Sequence, residues 1–303
     1  MQPKNASTPA LIAALNEVNY QTFIDFTQQL FKQVSLNILI HGNWHKEKAK
    51  QLSSTIEQAF SKQLNEDYQV KTPMLDLADK GEFIIPLVLP EHDNAMVIYY
   101  PIYDKSLTSI ATTMVISQLL SPVFFQTMRT EKQLGYLVGV GFIPINRYPG
   151  LSFYIQSPNI DADSLLSEID HFINHCHQYV SSLSTQDWKN LQQGLASQLQ
   201  EKDTSLRIRT QRFWSVICHN ETNFKQKQEL INALLALTLT DITTFIAKVL
   251  QPPTESTNPL KRQRRDRICL AAQKTCQQGT NKSASEQFEQ AIEKIIKSSS
   301  IKY

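Results

Sequence analysis

The chain has 303 residues, with 30 Lys and Arg against 28 Asp and Glu, which gives a formal net charge of +2. This near balance excludes a global field that would recruit nucleic acid or an anionic membrane, and the length suits one complete domain plus part of another, or two domains. No stretch resembles a signal peptide or approaches about 18 uninterrupted apolar residues. We therefore expect a soluble chain without membrane insertion or an export signal, and we leave its compartment, cytoplasmic or periplasmic, open.

The sequence pattern of the first part of the chain predicts mainly helices. The elements are a short helix opened by Thr8 and Pro9, a helix over about 20–32, a strand over 34–42 (VSLNILIHG) and a helix over 46–60. The segment from Leu64 to Lys80 has no sustained period and contains Pro73, so it is predicted to be a connector.

A second unit is predicted to begin near Gly81 with two strands, separated by the turn-forming residues 91–94. A long apolar helix over 107–129 follows, in which Pro122 predicts a kink or a break. The sequence INRYPG, flanked by two alternating runs, predicts a β-hairpin. Helices over 162–182, 185–202 and 205–219 come next. Strands followed by helices in this segregated order predict an α+β fold, a two-layer sandwich with a mainly antiparallel sheet on one side.

A weak internal repeat indicates how these units are organised. A shift of 219 positions places Leu15 on Leu234, Phe23 on Ile242 and Phe26 on Phe245, and a strand-like run follows each helix, LNILIHG and RICLAAQ. Apolar matching of this kind also arises between unrelated amphipathic helices. If the repeat is real, the chain holds the end of one α+β unit, 1–72, and one whole unit, 73–303.

Arg129 and Tyr136 are the candidate catalytic residues. The apolar helix ends near Arg129, a polar turn follows, and Tyr136 begins an alternating run, so a guanidinium and a phenol lie near one helix-to-strand junction. Two such donors can stabilise a carbonyl oxygen as it gains charge. On residue chemistry alone, a helix C-terminal cation and an ordinary strand aromatic are the favoured explanation of the two residues.

Histidines and cysteines offer weak candidates for a metal site. Glu168, His171 and His175 share one helical face, although a solvated polar face explains the same pattern. His41 and His45 follow a strand-like run, and neither H-x-x-E-H nor H-E-x-x-H occurs in the sequence. The sequence therefore predicts no metal-binding and no cofactor-binding residue. The cysteines are predicted to be mostly buried thiols: Cys176, Cys218, Cys269 and Cys276.

Phosphate and nucleic-acid chemistry find little support. The sequence has no Walker loop, no G-x-S-x-G and no G-x-G-x-x-G after a strand. A basic run follows a proline-rich stretch and consists of Lys261, Arg262, Arg264, Arg265 and Arg267. Its simplest interpretation is a solvated loop leading into a strand, and the alternative is an anion or nucleic-acid contact. The run has no interleaved aromatic residues, so we expect no nucleic-acid partner.

The segment around Tyr136 carries a family resemblance. RTEKQLGY (129–136), with FF before it and GLSFYIQSP after it, resembles the C-terminal half of the pitrilysin/insulinase family of zinc metalloendopeptidases. LNILIHGN, RFWSVICHNETNFKQKQ and LTLTDITTFI are also similar to family segments. The resemblance covers most of 10–255, and about the last 50 residues match poorly. It implies four homologous α+β domains, of which this chain resembles the end of the third, 1–72, and the fourth, 73–303.

The resemblance also implies roles for the two donors. Tyr136 is expected to donate to the scissile carbonyl oxygen, and Arg129 to contact the substrate backbone or to order the catalytic cluster. The family's H-x-x-E-H lies in the first domain, so Zn²⁺ is expected in the missing catalytic half, supplied in cis or in trans. The expected substrate is a peptide or small protein, and this chain alone is expected to be inactive. Two alternatives remain, a standalone binding or assembly module and an independent hydrolase that uses His171 and His175.

Overall fold

The computed structural model describes residues 8–65, 74–89, 93–250, 266–274, 284–298 and 300–302. Its helices are α1 Thr8–Glu17, α2 Tyr20–Leu30, α3 Lys46–Ala59, α4 Leu107–Phe125, α5 Ala162–Ser181, α6 Thr185–Gln200, α7 Leu206–Cys218, α8 Gln226–Ala236, α9 Leu239–Val249 and α10 Ala284–Ser298. A π-helix, Gln126–Glu131, continues α4. The strands are β1 Met74–Asp76, β2 Glu82–Leu89, β3 Asn94–Pro101, β4 Leu137–Phe142, β5 Gly150–Ser157, β6 Arg267–Lys274 and β7 Ser300–Lys302.

The described residues divide into two compact units. The larger unit contains those within 74–201 and 226–302, and the smaller contains 8–65 together with 202–225. Helix α7 thus groups with the N-terminal helices, although it lies far from them in sequence. The domain boundary at 72/73 that the resemblance implies stays a prediction.

The larger unit contains a five-stranded sheet in the order β2-β6-β3-β5-β4. The pair β2–β6 is parallel, and the other pairs are antiparallel. The predicted hairpin is confirmed, because β4 pairs with β5 and Ile145 bridges to Tyr148 between them. Strands β1 and β7 form a separate two-stranded sheet. The α+β class with a mainly antiparallel sheet is therefore confirmed.

One face of the five-stranded sheet packs against helices to form the main core. Alternate residues of β3 are buried, as period-2 alternation requires when one face is covered. The rings of Tyr100, Phe124, Phe153 and Phe172 meet at centroid distances of 5.0 to 6.5 Å. A second, smaller core lies under α10 and includes Leu75, Ile85 and Ile295.

Helix α4 is apolar on nearly all sides because it crosses the main core. Together with the π-helix it is long and apolar enough to span a membrane, and the bent pair α8–α9 passes the same test if it is taken as one span. Both stretches contribute buried side chains to the core instead, for example Val115, Leu120, Leu234 and Ile242. Such burial is typical of core helices in soluble domains.

The smaller unit differs from the prediction at 34–42, where a strand was expected. Residues 35–41 do not form one, and Val34 alone makes an isolated parallel bridge, to Leu64. A strand needs a neighbouring ladder, and the described residues provide no other partner for this segment. His41 lies against α7 instead. Its Nδ1 is 2.8 Å from Thr210 Oγ1, and its ring centroid is 5.0 Å from that of Phe213.

Candidate functional site

The candidate site begins where α4 becomes the π-helix. An α-helix was predicted to continue to Arg129, with a kink or break at Pro122, but α4 runs through Pro122 and ends at Phe125. The wider turn closes when the Lys132 N–H donates to the Thr127 carbonyl and the Leu134 N–H donates to the Met128 carbonyl, each at 2.9 Å. A π-turn adds one residue to a helical turn and so changes the direction in which the next side chains point.

Gly135 brings the chain against β5 just before Tyr136. The Tyr136 N–H donates to the Gln156 carbonyl at 3.2 Å. A Cβ atom on Gly135 would lie 2.1 Å from that same oxygen, so no other residue fits without a backbone shift. This close approach fixes the backbone of Tyr136 beside β5.

The Tyr136 phenol is held by a carboxylate. Its hydroxyl donates to Asp93 Oδ2, which also accepts a hydrogen bond from Gln156 Nε2 at 3.0 Å. The hydrogen bond to Asp93, aided by the charge of that carboxylate, raises the pKa of Tyr136 above its ordinary value. The Tyr136 side chain is still 53% exposed. Tyr136 is therefore a neutral, protonated donor at physiological pH with an accessible edge.

Arg129 lies in the last turn of the π-helix and is exposed. Its guanidinium carbon is 5.0 Å from the centroid of the Phe125 ring, which is a cation–π distance. No hydrogen bond joins Arg129 to Tyr136 among the residues described. The structure thus presents the two predicted donors as separate exposed groups at the two ends of one short turn.

Comparisons with known proteins agree with this architecture. Residues 115–214 match the family model of C-terminal lobe domain 4 of PQQ synthase PqqF-like proteins. The chain is 27% identical to human insulin-degrading enzyme over 243 residues, which covers 78% of this chain and 24% of that enzyme. The chain is thus similar to members of the pitrilysin/insulinase family. Its match is to the C-terminal portion of these zinc metallopeptidases.

Solved structures show the same fold. The crystal structure of pitrilysin superimposes with a TM-score of 0.76 at 15% identity, covering 98% of this chain and 31% of pitrilysin. The inactive domain of an M16 peptidase from Pseudomonas fluorescens gives a TM-score of 0.53 at 13% identity, covering 78% of this chain and 53% of that domain. The chain therefore spans about a quarter to a third of the length of insulin-degrading enzyme and of pitrilysin.

The family's zinc does not fit the residues described here. Within that part of the chain, no group of three or more His, Cys, Asp or Glu side chains could hold a metal ion. Glu168 forms an ion pair with Lys132, and the Nδ1 atom of His175 lies 2.7 Å from the His171 carbonyl oxygen. The Cys176 side chain is buried in the core. The polar-face interpretation of the α5 histidines accounts for these contacts.

Arg267, the last residue of the basic run, has neither of the two predicted roles, a place in a solvated loop or a contact with an anion or nucleic acid. Arg267 does not lie in a solvated loop, because it begins β6 and is 7% exposed. It forms ion pairs with Asp170 and Glu82, and it donates to Tyr100 Oη at 3.1 Å. Burial opposes its charge, but the bonds to Asp170 leave its pKa raised. The rest of the run lies outside the described residues: Lys261, Arg262, Arg264 and Arg265.

Two of the three cysteines in the described residues are buried, in agreement with the prediction of mostly buried thiols. Cys176 and Cys269 are buried, whereas Cys218, at the end of α7, is exposed. Burial raises the pKa of the Cys269 thiol to about 12, so this thiol is unreactive. Cys276 lies outside the described residues.

Sequence reasoning missed three residues that build the candidate site, namely Asp93, Gly135 and Gln156. Asp93 was predicted only as a turn residue, and Gln156 only as part of a strand. Gly135 did carry a signal, because a glycine directly before a strand often marks a close backbone approach. The contact between Asp93 and Tyr136 spans 43 positions, and no local pattern encodes it.

Proposed function

We propose that this chain is the non-catalytic C-terminal half of a pitrilysin/insulinase-family peptidase, which closes the substrate chamber and supplies Arg129 and Tyr136 to peptide hydrolysis. The observation that carries the proposal is the exposed, protonated phenol of Tyr136, fixed beside β5 in a chain whose relatives are peptidases. The match to a C-terminal lobe domain supports the assignment of this chain to the C-terminal half of such a peptidase.

The chemistry proposed for Tyr136 is electrostatic. Its O–H donates to the scissile carbonyl oxygen, whose negative charge grows as the carbon becomes tetrahedral. Such a donor acts mainly in the transition state, and loss of one typically lowers the rate about 10²–10³-fold. Arg129 has a permanent charge and five N–H donors, so it contacts the carbonyl groups of the substrate backbone or orders the cluster.

Two partners follow from this proposal. The first is a peptide or small protein substrate. The second is the zinc-bearing catalytic half, in cis or in trans, because the described residues of this chain do not provide a zinc site. The chain's own residues bind and orient the substrate and hold a proton at the Tyr136 oxygen.

A reconstitution experiment tests the role of Tyr136. The chain is mixed with the catalytic half of a family peptidase, and cleavage of a fluorogenic peptide is compared for wild type and Tyr136→Phe. We expect Tyr136→Phe to lower kcat about 10²–10³-fold, because the phenol donor is lost while the ring remains. Tyr154→Phe, on the same hairpin, is the matched control and should cleave as wild type does. Equal cleavage by Tyr136→Phe and wild type would contradict the proposal.

A second candidate is a standalone binding or assembly module that docks a partner without peptidase activity. The observation that favours it is the exposed apolar surface of the smaller unit, which includes Leu15, Tyr20, Phe23 and Phe26. This candidate predicts a stable complex with a partner subunit on size exclusion but no cleavage after mixing with a catalytic half. Cleavage that depends on Tyr136 excludes it.

The hydrolase alternative has its own test. If His171 and His175 served an independent zinc hydrolase, the purified chain would carry about one zinc ion, lost in His171→Ala. We expect a metal assay to find none above background, since no group of three or more side chains that could hold a metal ion occurs in the described part of the chain.

A further inference from the structure

Asp93 is placed at Tyr136 by the pairing of three strands. Gln156 of β5 is the register partner of Ala95 on β3 and of Leu137 on β4. Asp93, which directly precedes β3, and Tyr136, which directly precedes β4, thus flank the same β5 residue. The strand pairing brings the two residues to the same edge of the sheet, and their side chains make the contact just outside β3 and β4.

The phenol of Tyr136 has one hydrogen to donate. While that hydrogen is given to Asp93 Oδ2, it is not available to a substrate oxygen. We propose that Asp93 is a positioning residue that holds the Tyr136 hydroxyl in the resting protein, and that a bound peptide must take this hydroxyl away from Asp93. The proposal rests on the proposed role of Tyr136 as a donor to the scissile carbonyl.

Acceptor strength decides when the exchange takes place. A carboxylate is a stronger acceptor than the neutral carbonyl of a peptide, because its hydrogen bonds are charge-assisted. A ground-state substrate therefore competes poorly for the hydroxyl. The oxygen that gains negative charge in the transition state competes well, so Asp93 directs the donation of Tyr136 to the transition state and away from the ground state.

Gln156 makes the exchange possible without leaving a bare carboxylate. Its Nε2 donates to the same oxygen, Asp93 Oδ2, at 3.0 Å. When Tyr136 turns to the substrate, Asp93 keeps this donor and also faces solvent, because it is only partly buried. The penalty of an unpaired buried acceptor is thereby avoided.

The first test needs only this chain and does not depend on activity. Tyrosines labelled with ¹³C at Cζ are titrated by NMR, and the Tyr136 signal is assigned from its loss in Tyr136→Phe. We expect Asp93→Ala to lower the pKa of Tyr136 toward the ordinary tyrosine value, because both the acceptor and its charge are removed. Asp163→Asn, an equal change of charge on an exposed residue of α5, should leave it unchanged. An unchanged pKa in Asp93→Ala would overturn the proposal.

The second test uses the reconstituted peptidase. We expect Asp93→Ala to raise kcat/KM about two- to fivefold, mainly through a lower KM. The free energy of an exposed charged hydrogen bond corresponds to a fold-change of about this size. The gain should vanish in the Tyr136→Phe background. A fall in kcat/KM, or a gain that persists without the phenol, would overturn the proposal. If Tyr136→Phe alone has no effect, the proposed function fails, and the NMR titration still decides whether Asp93 holds the hydroxyl.

Discussion

The helix pairs α1–α2 and α8–α9 have nearly the same sequence pattern but opposite burial. The shift of 219 positions maps Tyr20–Leu30 onto Leu239–Val249, which are the bounds of α2 and α9. Both helices begin with a capping box, at Asn19 and at Thr238. Leu15 is 68% exposed whereas Leu234 is fully buried, and Phe23 is 53% exposed whereas Ile242 is fully buried.

The difference separates helix formation from core formation. Caps and apolar spacing are local signals, and both pairs have them. Burial requires other elements, and α8 and α9 find these in α4, α5 and α6. Helix α2 has no buried residue. The smaller unit therefore presents an exposed apolar face on a formed helix. We expect mutations in this unit to cost less stability than corresponding mutations in the larger unit.

The largest effect is expected from a buried charge in the larger unit. Arg267→Ala should lower the free energy of unfolding by about 4 kcal/mol, because it leaves the carboxylates of Glu82 and Asp170 without their cation. Urea unfolding and local hydrogen exchange of β6 measure this change. Arg207→Ala, on an exposed position of α7, is the control and should stay within about 0.5 kcal/mol. Equal losses of unfolding free energy in Arg267→Ala and Arg207→Ala would contradict the difference in burial between the two units.

The most direct comparison uses corresponding positions of α9 and α2. Ile242→Ala should destabilise by about 3 kcal/mol, through lost burial and a residual cavity. Phe23→Ala should change stability by no more than about 0.5 kcal/mol, since its ring is exposed and leaves no cavity. Hydrogen exchange followed by mass spectrometry reports each helix separately. A large loss for Phe23→Ala would mean that the face of α2 is covered in solution.

The smallest effect concerns the two capping boxes. Hydrogen bonds from the Thr238 hydroxyl and N–H lower the pKa of Asp241. The ionised Asp241 therefore stabilises the folded helix fully at pH values above the ordinary pKa of Asp. That contribution is lost as the pH falls through the lowered pKa of the folded state. The box at Asn19 contains no titrating group. Between pH 5 and about pH 2, first-turn amides of α9 should exchange faster relative to those of α2, after correction for intrinsic rates. A parallel change in both helices would contradict this assignment.

The sequence predicted helices α1 to α7, the β4–β5 hairpin and the α+β class, because each has a local signal, whereas α10 was not predicted. The prediction of a strand at 34–42 was wrong, because strand propensity in the sequence does not provide a neighbouring strand to pair with. The position of β6 between β2 and β3 was not predicted, since pairing across more than 160 residues has no local mark. Arg129 and Tyr136 were proposed with the support of the family resemblance, whereas the contact of Asp93 with Tyr136 became visible only in the structure.

The insertion of β6 has a consequence for the order of folding. Strands β3, β5 and β4 pair within residues 94–157, and this part, together with the preceding residue Asp93, carries Tyr136 and Gln156. Strand β2 joins the sheet through β6, whose residues come more than 100 positions later. Contacts between distant residues form late because closing a long loop costs entropy. We therefore expect a refolding chain to assemble the tyrosine–carboxylate contact before its sheet is complete.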